Sequence, residues 1–141
     1  QMCIRDRLGD DEAGVIAALH GSLFGIRAGL IANTVDAMQQ LDADPHRMHA
    51  LLGPSATGRN MRVSEAVAAD MENRVPHTRS KTPQGQPSVD LRRGIAYQLV
   101  QAGLAGVTID PRCTIEDPAF FSTYREGKTG CQAGVIWRSN D

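Results

Sequence analysis

The sequence predicts an α/β domain, a mixed α+β layered sandwich in which helices pack against a sheet. Three observations carry that reading. Short β-branched apolar runs alternate along the chain with stretches whose apolar residues recur at helical spacing. The length, 141 residues, is that of one domain. The apolar fraction is 41% and the charged fraction 22%, as in soluble globular chains, while only 4% of residues are aromatic, so the core has to be aliphatic.

The first element is "GVIAALH", Gly14 to His20. It is too short for a helix, is β-branched at its start and is followed by glycine, so it reads as a buried strand with His20 at its end. "GLIANTVDAMQQL" follows, with Ile31, Val35, Met38 and Leu41 on one helical face, and Pro45 closes the region. "RMHALLGP" returns to a strand that enters a turn at Gly53-Pro54. "VSEAVAADMENRV" reads as a helix: Ser64 is placed to cap it, Glu65 suits the positive end of its dipole, and Pro76 stops it. "PHTRSKTPQGQPS" holds three prolines and a glycine and reads as a surface loop. In "VDLRRGIAYQLVQAG", Asp90 caps a helix whose buried stripe is Leu91, Ile95 and Leu99, and Gly103 suits its left-handed end. "GVTID" is a strand, "EDPAFFS" a helical turn capped by Asp117 with Pro118 at its first position, and "CQAGVIW" a last strand carrying Trp137.

Several function classes are disfavoured by composition. A formal net charge of -1 gives no electrostatic grip on nucleic acid or anionic membrane. No apolar run approaches the roughly 20 residues that span a bilayer, and the N-terminus has no long apolar stretch of the signal-peptide kind. Cys3, Cys113 and Cys131 are odd in number and widely spaced, without a Cys-x-x-Cys pair. That pattern argues against a disulfide framework and a zinc ribbon, and sets the expectation of a cytoplasmic protein.

His20 is the histidine best placed for chemistry. It ends an apolar strand before the glycine-spaced "GSLFGIRAG", a common location for catalysis in layered α/β folds, although a hydrogen-bonded structural histidine would look the same. His46, His49 and His77 fall in polar connections and read as solvated. Gly21, Gly25 and Gly29 recur every four residues without completing a phosphate-loop motif, and close helix packing explains them equally well. Cys113, in "DPRCTIEDP", is a nucleophile only if its pKa is lowered and a base is at hand; the competing reading is a buried, inert thiol. Tyr124, Arg125 and Lys128, in "FFSTYREGKTG", offer a stacking face, a forked donor and a second cation to an anionic or planar ligand; a solvated hairpin is the alternative. Asp10, Asp11 and Glu12 read as a solvated acidic turn.

"GVIAALHGSLFGIRAG", "LLGPSATGRNMRV", "PSVDLRRGIAYQLVQAG" and above all "CTIEDPAFFSTYREGKTGCQAGVIW" together resemble the YfiH-type laccase-domain family, in particular its actinobacterial members. Members of that family are also described as multicopper polyphenol oxidase-like proteins or purine nucleoside phosphorylases. The resemblance implies a larger mixed α/β sandwich. It implies a site of a histidine, a cysteine in an "ADC" motif and a histidine in an "HAGWRG" motif, the last matched by His20. His20 would then be catalytic and a ligand of zinc or copper. Arg125 and Lys128 would hold phosphate or ribose, and Tyr124 would face the base.

The implied partners are a purine nucleoside and phosphate. The implied activities are phosphorolysis of adenosine, inosine or methylthioadenosine and deamination of adenosine. Copper-dependent phenol oxidation, peptidoglycan-editing hydrolysis and a degenerate, non-catalytic domain are the alternatives. Leu23 and Phe24 replace the Trp and Arg of "HAGWRG", Cys131 stands where arginine often follows "TG", and Arg62 where glutamate is usual. The opening "QMCIRDR" resembles the translation of a transposon-end sequencing adapter. Residues 1–7 are therefore expected to be foreign, with 8–141 the C-terminal part of one laccase-type domain, truncated at the N-terminus and inactive by itself.

Overall fold

A computed structural model of the chain describes residues 4–117, 119 and 135–139. Six strands and four α-helices occur among them: β1 (Ile4–Asp10), β2 (Val15–Gly21), α1 (Leu23–Arg27), α2 (Leu30–Gln40), β3 (His49–Leu52), α3 (Glu65–Arg74), β4 (Arg79–Lys81), β5 (Pro87–Val89), α4 (Leu91–Gln101) and β6 (Gly106–Ile109). A single 3-10 turn, Pro45–Arg47, leads into β3. No helix among the described residues is long and apolar enough to cross a membrane.

Four strands form one sheet in the order β2-β1-β3-β6, and β4 and β5 form a separate hairpin. β1 is antiparallel to both β2 and β3, whereas β3 and β6 run parallel. Parallel neighbours need a crossover, and the chain from Gly53 to Ala105, with α3 and α4, supplies it. The mixed α/β expectation therefore holds.

Residues directly opposed across a ladder share a face. Leu8 sits opposite Ala17 and Ala50, and Asp6 opposite Leu19 and Leu52. This inner face joins Ile26, Ile31, Val35, Met38, Ile95 and Leu99 in one aliphatic core. The other rows, Ile16–Gly9–His49–Gly106 and Ala18–Arg7–Leu51–Thr108, point to the opposite side.

The helix ends follow the local chemistry. Ser64 accepts from the amide of Val67 and Asp90 from that of Arg93, as the sequence implies. Gly29, at φ 93°, turns the chain from α1 into α2. Gly103, at φ 88°, follows α4 in the left-handed conformation.

Three expectations need correction. Strand β2 is not buried throughout; Ile16, Ala18 and His20 alternate outward and are exposed. The "PHTRSKTPQGQPS" stretch is not simply a loop, because β4 and β5 pair there around Gly85. The acidic turn is not wholly solvated, because Asp10 is 1% exposed. Its carboxylate accepts from the amides of Ala13 (3.1 Å) and Asp44 (2.8 Å) and pairs with Arg47 at 3.1 Å. Those partners, chiefly the Asp44 amide, hold its pKa down at about 2.

The "EDPAFFS" turn and the "CQAGVIW" strand fall largely outside the described residues; Ala119 donates its amide to Asp117 at 2.9 Å, and 135–139 are in no regular element.

Candidate functional site

β2, β3 and β6 all run in the same direction, so the segments that follow them emerge at one end of the sheet. In open α/β sheets the carboxyl ends of parallel strands are where ligands are usually held. Two groups of side chains with chemical potential lie at this end, one at each edge.

The first is His20, the penultimate residue of β2, on the sheet's outer face and exposed to solvent. Its carbonyl accepts from the amide of Ser22 at 3.0 Å. Ser22 in turn caps α1 by accepting from Gly25 at 3.0 Å. A Cβ at residue 25 would lie 3.2 Å from the Ser22 Oγ and 3.5 Å from Leu30 Cδ2, so the glycine keeps the turn after His20 tight. This accounts for Gly25 by packing, as Gly29 is accounted for by its backbone angle; neither forms a phosphate cradle. Phe24, where the family motif carries arginine, is 79% exposed.

The second group surrounds Cys113, beyond the carboxyl end of β6. An isolated parallel bridge joins Ser55, just beyond β3, to Cys113. Burial pushes the Cys113 thiol up. The backbone of Thr57, Glu116 and Ile115 and the Thr57 hydroxyl donate to the sulfur and outweigh burial, so it titrates below its ordinary value. Asn60 Nδ2 lies 3.5 Å from Sγ and donates to Glu116 Oε1 at 2.7 Å, and Arg59 pairs with Glu116 at 3.7 Å. Ser55 Oγ is buried without a hydrogen-bond partner among the described residues.

The segment leading to Cys113 is held from below. Arg92, 7% exposed on α4, donates to the carbonyls of Asp110 and, at 3.3 Å, of Arg112. The Arg112 guanidinium holds the Asp110 carboxyl down at about 2. Gly58 allows the loop after β3 to lie close by; a Cβ there would meet Ser80 Oγ at 2.8 Å.

Three inter-strand spacings separate β2 from β6, roughly 14 Å. A proton cannot pass directly from Cys113 to His20 over that distance. The thiol is buried, as one sequence reading had it, and hydrogen bonds to its sulfur hold its pKa below the ordinary value, which that reading did not foresee. The local sequence does not signal this, because Ile115 and Glu116 donate only through their backbone and the side-chain donors, Thr57 and Asn60, lie more than fifty positions earlier.

Tyr124, Arg125 and Lys128 lie outside the described residues, as do Cys3 and Cys131. No group of three His, Cys, Asp or Glu side chains converges among the described residues in a way that would hold a metal ion. His20 alone does not make the donor set that a catalytic zinc or copper needs, so the described residues do not fit a resident metal. The His46 ring donates from Nδ1 to the Gly103 carbonyl at 3.1 Å, and His77 packs against the Tyr97 ring, so both are engaged at the surface.

A family of proteins described as "Multi-copper polyphenol oxidoreductase laccase" matches residues 3–139. A purine nucleoside phosphorylase of Corynebacterium glutamicum is 45% identical over 135 residues, covering 96% of this chain and 55% of its own length. One from Mycobacterium tuberculosis is 39% identical, covering 96% of this chain and 54% of its own length. The crystal structure of a Neisseria meningitidis protein of the family DUF152 superposes with a TM-score of 0.80 at 27% identity, over 92% of this chain and 54% of that one. The chain thus spans about half the length of the relatives it matches.

Proposed function

The chain belongs to the multi-copper polyphenol oxidoreductase laccase family, and on that premise we propose that it is part of a purine nucleoside phosphorylase whose His20 moves a proton at the glycosidic bond. The observation that carries the reading is the 45% identity, over nearly the whole chain, to a relative named for that activity.

Phosphorolysis forms a bond from a phosphate oxygen to the anomeric carbon and breaks the bond from that carbon to the purine nitrogen. The leaving purine carries away the bonding electrons and needs a proton. An imidazole is suited to deliver it near neutral pH. His20 stands at a strand end with its side chain exposed to solvent. Tyr124, Arg125 and Lys128 are assigned to the base and to the phosphate or ribose, because an aromatic face and two cations match those chemistries. Adenosine, inosine and methylthioadenosine are the substrates in this reading; deamination of adenosine is a separate reaction, in which water adds at the purine carbon bearing the amino group and ammonia leaves from that carbon. No step is routed through a metal, since the described residues do not gather its ligands.

The reading assigns activity to the complete domain and none to this chain alone. The experiment joins this chain to the complementary segment of the Corynebacterium glutamicum relative and supplies adenosine with and without phosphate. Phosphate-dependent adenine release is expected from the fusion and not from the chain by itself. His20→Ala in the fusion should lower the rate by about 10²–10⁴-fold. A folded fusion that releases no adenine, or a His20→Ala variant with unchanged turnover, would refute the assignment.

A further inference from the structure

The parallel strands β3 and β6 end side by side, and the chain beyond them pairs once more, at Ser55 and Cys113. The Thr114 amide donates to the Ser55 carbonyl at 3.2 Å and fixes this pairing. Residues paired in this way present their side chains on one face, so the Ser55 hydroxyl and the Cys113 thiol are neighbours. Ser55 is 2% exposed, and its Oγ is buried with no hydrogen-bond partner among the described residues. An unpartnered buried hydroxyl is destabilising, and a chain that keeps one does so for a reason. The sulfur beside it is ringed by donors: Asn60 Nδ2 at 3.5 Å, the Thr57 hydroxyl and the backbone of Thr57, Ile115 and Glu116. These donors favour the thiolate, the reactive form of the side chain. Cys113 is 5% exposed, with exposed Arg112 just before it and exposed Glu116 three residues on, so a small reagent reaches the sulfur and a bulky one does not.

We propose that Cys113 is a site of oxidation by hydrogen peroxide to a sulfenic acid, and that the Ser55 hydroxyl is held ready for the oxygen the sulfur gains. The Cys113 thiolate attacks one oxygen of the peroxide. An S–O bond forms and the O–O bond breaks; the second oxygen leaves as hydroxide and takes a proton from solvent to become water. The sulfur loses two electrons and the peroxide gains them. The product is a sulfenic acid, the first step of the cysteine oxidation ladder. Its oxygen is a new acceptor on the face that Ser55 shares, and a donation from Ser55 Oγ to it satisfies both atoms. In the reduced chain that hydroxyl has no such partner among the described residues, which is the feature a purely packing role for Cys113 leaves unexplained. The proposal rests on the pairing of Ser55 with Cys113 and not on the phosphorylase reading, and its test measures no turnover.

The full chain is treated with hydrogen peroxide in native buffer, and catalase removes the excess. After a set delay the chain is unfolded in urea containing dimedone, which marks sulfenic acid, and peptide mass spectrometry locates the mark. The expected result is a dimedone adduct on Cys113. Dithiobis(nitrobenzoate), a bulky thiol reagent, should react with Cys113 only after unfolding. Ser55→Ala removes the waiting hydroxyl. Because that hydroxyl has no partner among the described residues, circular dichroism and urea unfolding of the reduced variant should match the parent. Its Cys113 sulfenic acid should decay about two- to tenfold faster with increasing delay, as the loss of one hydrogen bond predicts. The proposal is overturned if the dimedone mark is confined to Cys3 or Cys131, if Cys113 is recovered in a disulfide with either of them, or if the sulfenic acid of Ser55→Ala persists as long as that of the parent.

Discussion

Thr57 donates to the sulfur of Cys113 twice, through its backbone and through its hydroxyl. Two donors from one residue favour the thiolate over the thiol, and with the Ile115 and Glu116 backbone they outweigh the cost of burying charge. Thr57→Val removes the hydroxyl and keeps the shape and the backbone donor. In a Cys3→Ser, Cys131→Ser background, where Cys113 is the remaining thiol, its titration followed by ultraviolet thiolate absorbance should move up. An unmoved titration would mean that the hydroxyl does not hold the sulfur.

Asp6 lies in the middle of β1, 1% exposed, opposite Leu19 and Leu52 on the core face. Burial raises its pKa to about 7, against the Gly53 backbone and the charges of Arg7 and Arg92. Its folded pKa lies above the unfolded value of 3.8, so the folded state holds the proton more tightly. Stability from this group is fully present below pH 3.8 and falls as pH rises through 7. Between pH 4 and 7 the unfolding free energy should therefore decline by about 1 kcal/mol per pH unit, an upper bound that relaxation reduces. Asp6→Asn should flatten that slope, and Asp6→Val should stabilise the chain at pH 8 by roughly 1–4 kcal/mol, measured by urea unfolding. Equal slopes in parent and Asp6→Asn would show that the carboxyl is solvated.

Asp10 carries the opposite sign. Its pKa is lowered to about 2, first by the Asp44 amide, so its contribution is present above pH 3.8 and is lost as pH falls toward 2. It ties the β1–β2 turn to the residues before β3 through Ala13, Asp44 and Arg47. Asp10→Ala should lower the melting temperature at pH 7 by at least about 5 °C and remove part of the acid-unfolding transition between pH 4 and 2. An unchanged melting temperature would place this carboxylate in water.

These two carboxylates also show where sequence reading succeeds and where it stops. α4 is legible because everything that makes it is local: Asp90 caps it, and Leu91, Ile95 and Leu99 form its buried stripe. β1 is not legible, because "IRDRLGD" alternates charge with apolar residues and exists as a strand through pairing on both sides. The β4–β5 hairpin hides for the same reason among prolines and glycines. At the candidate site, His20 is marked by its strand end and the turn after it. The Cys113 environment depends on contacts from Ser55, Thr57 and Asn60 across the sheet end, and no sequence period records them.

Gly94 is the place where the core tolerates least. It sits in α4, where alanine would ordinarily be better by about 1 kcal/mol. A Cβ there, however, would come within 2.3 Å of Thr78 Cγ2 and 2.9 Å of Val75 Cγ1. Thr78 cannot swing aside freely, because it is fully buried and its hydroxyl donates to the Val75 carbonyl at 2.8 Å. Overpacking therefore outweighs propensity, and Gly94→Ala should destabilise the chain by roughly 1–3 kcal/mol in urea unfolding. Thr78→Ser removes the clashing methyl and keeps the hydroxyl bond. Alone it should cost about 1 kcal/mol for the small void it leaves. Combined with Gly94→Ala it should cost less than the sum of the two single changes, because the new methyl occupies the vacated space. Strict additivity in that double-mutant cycle would show that the close approach of α4 to Thr78 is not what makes glycine necessary at residue 94.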